Sequence, residues 1–217
     1  MHAFTDLATA AYCPRKLYYK LSRGDRDAPE SVASVRNLAF RYEELLDPGT
    51  DLAEEPIAAA PTAYRSALER TKARLDRWEE LVDPSETRTF LRGKDAHGIA
   101  HKLLRKPAVP VIVSPGTPPE RGVWEPHSVW ATAAAKALSW ERETPIERAY
   151  VEYPAHGVVR PVRMTTRRKA AYRKTLRTAT AMDGPPPRLK NDSRCETCVY
   201  HDECGTKTRS LRSRLSL

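Results

Sequence analysis

Four thiols are the residues of this 217-residue chain best suited to inorganic chemistry. Three sit close together near one end, Cys195, Cys198 and Cys204, in a C-x2-C-x5-C run. The fourth, Cys13, stands alone in Tyr12-Cys13-Pro14-Arg15-Lys16-Leu17-Tyr18-Tyr19. Four soft thiolates at tetrahedral corners suit an iron–sulfur cluster or zinc. A structural zinc site commonly uses two C-x2-C pairs, or one pair with histidines. Here the second step is a looser x5, and His201 lies between ligand positions. Three readings follow from the residues: a cluster, zinc, or unligated structural cysteines. The stretch Met1 to Ala11 has no basic n-region and no apolar h-region, so no signal peptide is expected. A cytoplasmic, reducing setting then follows, in which disulfides rarely persist, and that favours metal over cystine. A shared centre would join the two ends and close a loop of about 180 residues.

The elements between must bring those ends together. A short helix is expected from Asp6 to Tyr12, capped by Thr5, and Pro14 interrupts it before a second turn with Leu17, Tyr18 and Leu21. Residues 22–33 read as a polar connection, and a helix is expected from Val35 to Leu46. Tyr64, Leu68, Thr71, Leu75, Trp78 and Val82 recur at helical spacing, which predicts one core-packed helix from Thr62 to Val82. Strands are expected at Thr87 to Arg92, Gly98 to Leu104 and Ala108 to Val113. Ser128 to Trp140 reads as a helix whose Ala131, Ala134, Ala135 and Leu138 could pack close against a sheet. Arg148 to Tyr153 and Val158 to Val162 alternate as strands, and Thr166 to Met182 reads as a basic helix. This pattern predicts an α/β fold with a central mixed sheet flanked by helices. One domain spans residues 1–217: cluster-binding ends at 1–30 and 185–205, a core at 87–182, and a basic tail at 206–217.

The formal net charge is +9, and arginine outnumbers lysine by more than two to one. Such a balance points to an anionic partner, with nucleic acid ahead of a membrane surface. Guanidinium forks grip phosphates bidentately. No apolar run is long enough to span a membrane. Arg167, Arg168, Arg173, Lys174 and Arg177 on the last basic helix are candidate nucleic-acid contacts, set against the plainer reading of a solvated face. Tyr12, Tyr18 and Tyr19 could stack bases, but packing around the cysteines is the simpler expectation.

The pairing of Tyr12-Cys13-Pro14-Arg15-Lys16-Leu17-Tyr18 with Cys195-x2-Cys198-x5-Cys204 resembles the CRISPR-associated exonucleases of the RecB type, and the nuclease domains of Dna-two-type and AddB-type enzymes. The resemblance covers nearly the whole chain and is most specific at the cysteines. It implies a 4Fe–4S cluster on Cys13, Cys195, Cys198 and Cys204. It also implies a PD-(D/E)XK restriction-endonuclease-like core around single-stranded DNA, with CRISPR integration proteins as possible partners.

The family cuts phosphodiesters with Mg²⁺ or Mn²⁺ held by carboxylates beside a lysine. Its motifs are a histidine on an early helix, Gly-x-x-Asp on one strand, Glu-x-Lys on the next, and Gln-x-x-x-Tyr on the following helix. In this chain Gly98-Ile99-Ala100-His101 stands at Gly-x-x-Asp. Ile112 and Ser114 stand at the glutamate and lysine, Trp130 and Ala134 at the glutamine and tyrosine, and Val35 to Arg41 offers no histidine. Residues 96–116 contain no aspartate or glutamate at all. Hard divalent ions want oxygen ligands, so the expected protein is a catalytically silent, DNA-binding or accessory factor in CRISPR adaptation or DNA repair. His101 is the sole weak catalytic candidate. An active single-stranded DNA exonuclease would have to recruit Asp95, Glu120 or Glu125 beside His101. A redox-responsive DNA-binding regulator and a zinc-stapled protein unrelated to nucleases are the other readings.

Overall fold

The computed structural model describes residues 1–25, 30–105, 107–189 and 193–205. A short strand β1 (His2–Ala3) leads into helix α1 (Phe4–Tyr12). Ala3 stands at its N-cap and Thr5 lies inside the helix, so the expected hydroxyl cap is absent. Cys13 is extended, and Pro14 opens α2 (Pro14–Arg23), where a first-turn proline loses no helical hydrogen bond. Gly24, at φ 72°, ends that helix in the left-handed conformation glycine favours.

The next two expected helices are each broken in two. The first becomes α3 (Glu30–Asn37), a 3₁₀ turn at Leu38–Phe40 and α4 (Tyr42–Leu46). Arg41 interrupts it, with its guanidinium on the carboxylates of Glu44 and Glu55. The second becomes α5 (Pro61–Arg74) and α6 (Trp78–Val82), because Leu75 turns extended. No glycine or proline marks that break. Arg77 instead restarts the chain by forking onto Glu80 and donating to the Pro107 carbonyl.

Strands β2 (Glu86–Arg92), β3 (Ala96–Leu104) and β4 (Val109–Val113) form an antiparallel meander. Helix α7 (Glu125–Glu141) then crosses over to β5 (Arg148–Tyr153), which runs parallel to β4, and β6 (Val158–Arg163) returns antiparallel. β1 joins the far side of β3 in parallel, so the chain's first residues belong to the sheet. Helices α8 (Thr166–Thr180) and α9 (His201–Gly205) complete the fold. The result is the expected α/β architecture, a mixed sheet of six strands flanked by helices. Among the described residues no helix is long and apolar enough to cross a membrane.

Helices cover both faces of the sheet, which is why β4 reads Val-Pro-Val-Ile-Val without polar alternation. On one face Phe4, Leu7, Ile112, Ala134, Leu138 and Val151 share a core with α1, α7 and α8. On the other, Tyr42, Tyr64, Leu68, Trp78, Val111, Val113 and Tyr150 form a second core under α4, α5 and α6. The small face predicted for α7 is buried against the sheet. A Cβ on Gly93 would stand 2.8 Å from the Ala137 Cα, so helix and strand turn nearly touch there.

Candidate functional site

All four cysteines line one hollow, together with Tyr12, Arg15, Lys16, Tyr19, Arg194 and Tyr200. Its volume is about 20 Å³, room for a single water-sized body. Cys13 comes from the junction of α1 and α2, Cys195 from the turn at 193–195, Cys198 from the connection after it and Cys204 from α9. Contacts beyond the thiols dock these two ends. Arg15 donates to the Pro186 carbonyl at 2.9 Å and Arg194 to that of Tyr12 at 2.6 Å. The Tyr19 and Tyr200 rings stack, the Tyr200 hydroxyl reaches Asp25 at 2.8 Å, and Arg23 pairs with Glu203. Tyr12 and Tyr19 line the hollow with the cysteines, and Tyr18 does not. His201 also lines the hollow, half turned to Asp202 at 3.4 Å. Among the described residues, no group of three or more histidines, cysteines, aspartates or glutamates is placed to hold a metal ion.

The positions at which the resemblance expects catalytic groups form a closed, hydrogen-bonded knot. Arg88 sits at φ 52° opposite His101, and the β2–β3 ladder pairs Thr87 with Lys102 and Thr89 with Ala100 but skips both residues between. The kink sends Ala100 into one core and turns Lys102 towards the residues of the other. The His101 Nδ1 accepts the Val113 backbone N–H at 3.2 Å, and its ring meets Trp130 edge-on. Nδ1 is thereby used as an acceptor and Nε2 carries the proton. Burial, then the charges of Arg36 and Arg88, pull this imidazole down to about 3, so it is neutral at pH 7. Ser114, at the lysine position, is buried, and its Oγ lies 3.2 Å from His127 Nε2; His127 Nδ1 lies 2.8 Å from the Tyr153 hydroxyl. Burial lowers His127 to about 4. Ile112 is buried among apolar neighbours. Glu120 and Glu125 are exposed and Asp95 is half-buried, and they do not converge with His101 on a common point. This arrangement can bridge strands; it has no oxygen cage for a hard cation.

Sequence reasoning missed Lys102 with Glu152 at 3.2 Å, the one ion pair among the described residues that is wholly buried. Lys102 Nζ also donates to the carbonyls of Ala39 at 2.5 Å and Leu81 at 3.0 Å, and lies over the rings of Phe40 and Tyr42. Burial pushes Glu152 up and Lys102 down, each opposed by the other's charge. The available signal was a lysine directly before Leu103-Leu104 and a glutamate between Val151 and Tyr153. The pair occupies the core face opposite Ile112, closed to water.

On α8, Arg167, Arg173, Lys174 and Arg177 are exposed, as a nucleic-acid or solvated face requires. Arg168 is half-buried and donates to the Arg163 carbonyl at 3.0 Å, while Thr165 caps the helix at the Arg168 N–H. The basic tail expected at 206–217 lies outside the described residues. A second concentration of arginines, which sequence reasoning did not single out, lines a cleft between α5 and the β5–β6 ribbon.

Compared with known proteins, the chain matches no protein-family model and none of the curated proteins.

Proposed function

We propose that this chain is an iron–sulfur-stapled, catalytically silent relative of the CRISPR-associated RecB-type exonucleases, built on a PD-(D/E)XK-like core. It acts as a single-stranded-DNA-binding accessory factor in CRISPR adaptation or DNA repair. One observation carries the reading: cysteines from opposite ends of the chain share one hollow, while positions 98–114 hold no carboxylate. The order of elements is the one the resemblance implies, with the Gly98–His101 strand, then the Ile112 strand, then the helix carrying Trp130 and Ala134. Cys13, Cys195, Cys198 and Cys204 would hold the 4Fe–4S cluster. Zinc would draw on the same four thiolates, and metal analysis separates the two. The thiolates and cluster together are anionic, and Arg15, Lys16 and Arg194 supply compensating charge around the hollow. The group's contribution is a covalent cross-link between chain ends that are already docked.

Anaerobic purification followed by iron and acid-labile sulfide analysis tests the cluster. Both elements and a broad visible absorbance are expected, and Cys13→Ser should lose them and melt at lower temperature. Stoichiometric zinc without sulfide would refute the assignment. Labelled single-stranded DNA with Mn²⁺ should stay intact; cutting that disappears in His101→Ala would show that the centre is alive.

A further inference from the structure

The cleft between α5 and the β5–β6 ribbon has a volume of about 560 Å³ and is lined by Arg70, Arg74, Arg148 and Arg163, with Asp76 as its one carboxylate. Arg160 lines it too, but its guanidinium donates to the Glu120 carbonyl, away from the cleft. Arg70 and Arg74 are one helical turn apart, about 6 Å along the α5 axis. Arg148 and Arg163 are direct cross-strand partners in the β5–β6 ladder, a placement in which like charges destabilise a sheet. Arg148 is partly offset by Asp76 at 3.5 Å and by the Tyr150 hydroxyl at 3.2 Å. No hydrogen bond or ion pair within the described residues engages the guanidiniums of Arg70, Arg74 or Arg163. Neighbouring arginines differ. Arg65 is spent on the carbonyls of Leu45, Asp47 and Thr50, and Arg77 on Glu80 and the Pro107 carbonyl. Arg65 and Arg77 are thus engaged within the fold, whereas Arg70, Arg74 and Arg163 face the cleft with no such partner among the described residues.

We propose that this cleft binds the phosphate backbone of single-stranded nucleic acid. It lies on the sheet face of Tyr64, Leu68 and Tyr150, opposite the face that carries Ile112, so it is distinct from the positions at which the resemblance places catalysis. A row of guanidiniums along a helix and a facing ribbon suits successive phosphates, each taken bidentately. The only aromatic ring in the lining is Tyr150, which is buried. Base stacking is therefore missing, and the contact is with the backbone and indifferent to sequence. The inference deepens the DNA-binding part of the proposed function and stands apart from its cluster.

The test is fluorescence anisotropy of the full chain with labelled oligothymidylate and oligoadenylate over a salt series. Equal affinity for the two is expected. The double variant Arg74→Ala/Arg163→Ala should bind several-fold more weakly at low salt, and its slope of log K against log salt should be shallower by about 0.7 per arginine. Both side chains are exposed and Arg163 faces a like charge across the ladder, so the melting temperature should not fall below that of the wild type, and Arg70→Glu should repeat the loss of binding. A wild-type slope in the double variant overturns the proposal, as does cleft-dependent binding of inorganic polyphosphate with no binding of oligonucleotide. Failure of the cleft variants alone leaves iron and sulfide content untouched, so it is distinguishable from failure of the cluster assignment.

Discussion

Lys102 and Glu152 meet where neither side chain has any exposure to water. Desolvating two charges costs more than a mediocre contact returns, so such a pair is tolerable only when its remaining hydrogen-bonding capacity is filled. The Ala39 and Leu81 carbonyls supply that for the ammonium, whereas Glu152 Oε1 has only the ammonium beside it and no hydrogen-bond partner among the described residues. Glu152→Gln should therefore cost about 3–5 kcal/mol by leaving the ammonium uncompensated. Lys102→Met/Glu152→Leu should cost less than the single change, both read by urea denaturation. Equal losses would mean the attraction between the charges contributes little. His101, which is buried, and His127, which is half-buried, give a second outcome. Their folded values, about 3 for His101 and about 4 for His127, lie below the ordinary 6.5. The unfolded chain then binds protons that the folded chain refuses. The associated stability is complete above about pH 6.5 and is lost as pH falls towards those values, by up to about 3 kcal/mol for each histidine at pH 4. Urea midpoints should drop over that range, and His127→Gln should flatten the drop. A midpoint that stays level in the wild type would contradict the buried, neutral imidazoles.

At the scale of elements, the strands and α7 follow from local pattern, and the long helices do not. Apolar spacing from Tyr64 to Val82 is continuous, yet Leu75 leaves the helix because side chains far along the sequence, Arg77 onto Pro107 and Thr71 onto Gly157, hold the chain on a new course. The break at Arg41 has the same origin, with Glu55 supplied from outside the helix. Gly98 shows the opposite case, a single residue that dictates how two elements meet. A Cβ there would lie 2.7 Å from the Phe4 ring, so α1 can sit on β3 only over a glycine. Gly98→Ala should cost about 1–3 kcal/mol as an overpacking change, and Phe4→Leu in the same chain should recover part of it. Thermal melting of the three variants decides this; a neutral Gly98→Ala would show that α1 has freedom to shift.

Taken whole, the molecule is a sheet whose first two helices and last helix meet at one hollow. β1 pairs with β3, α1 packs against α7 and α8, and the 193–205 segment rests on α1 and α2 through Arg194, Tyr200 and Glu203. Part of this was written in the chain alone. The C-x2-C-x5-C spacing and the lone Cys13 name a set of four thiols, 96–116 holds no aspartate or glutamate, and the excess of arginine makes the chain basic, because residue type and short spacing are local facts. Tertiary structure alone decided which of these groups meet. It placed four thiols from opposite ends around one space, it spent His101 on a backbone N–H, and it buried Lys102 against a glutamate 50 residues away. It also set Arg70 and Arg74 across a cleft from Arg148 and Arg163. The charge pattern could not single out those arginines from the rest, since a side chain's partner is set by strand register and helix packing, which join residues that no sequence window holds together.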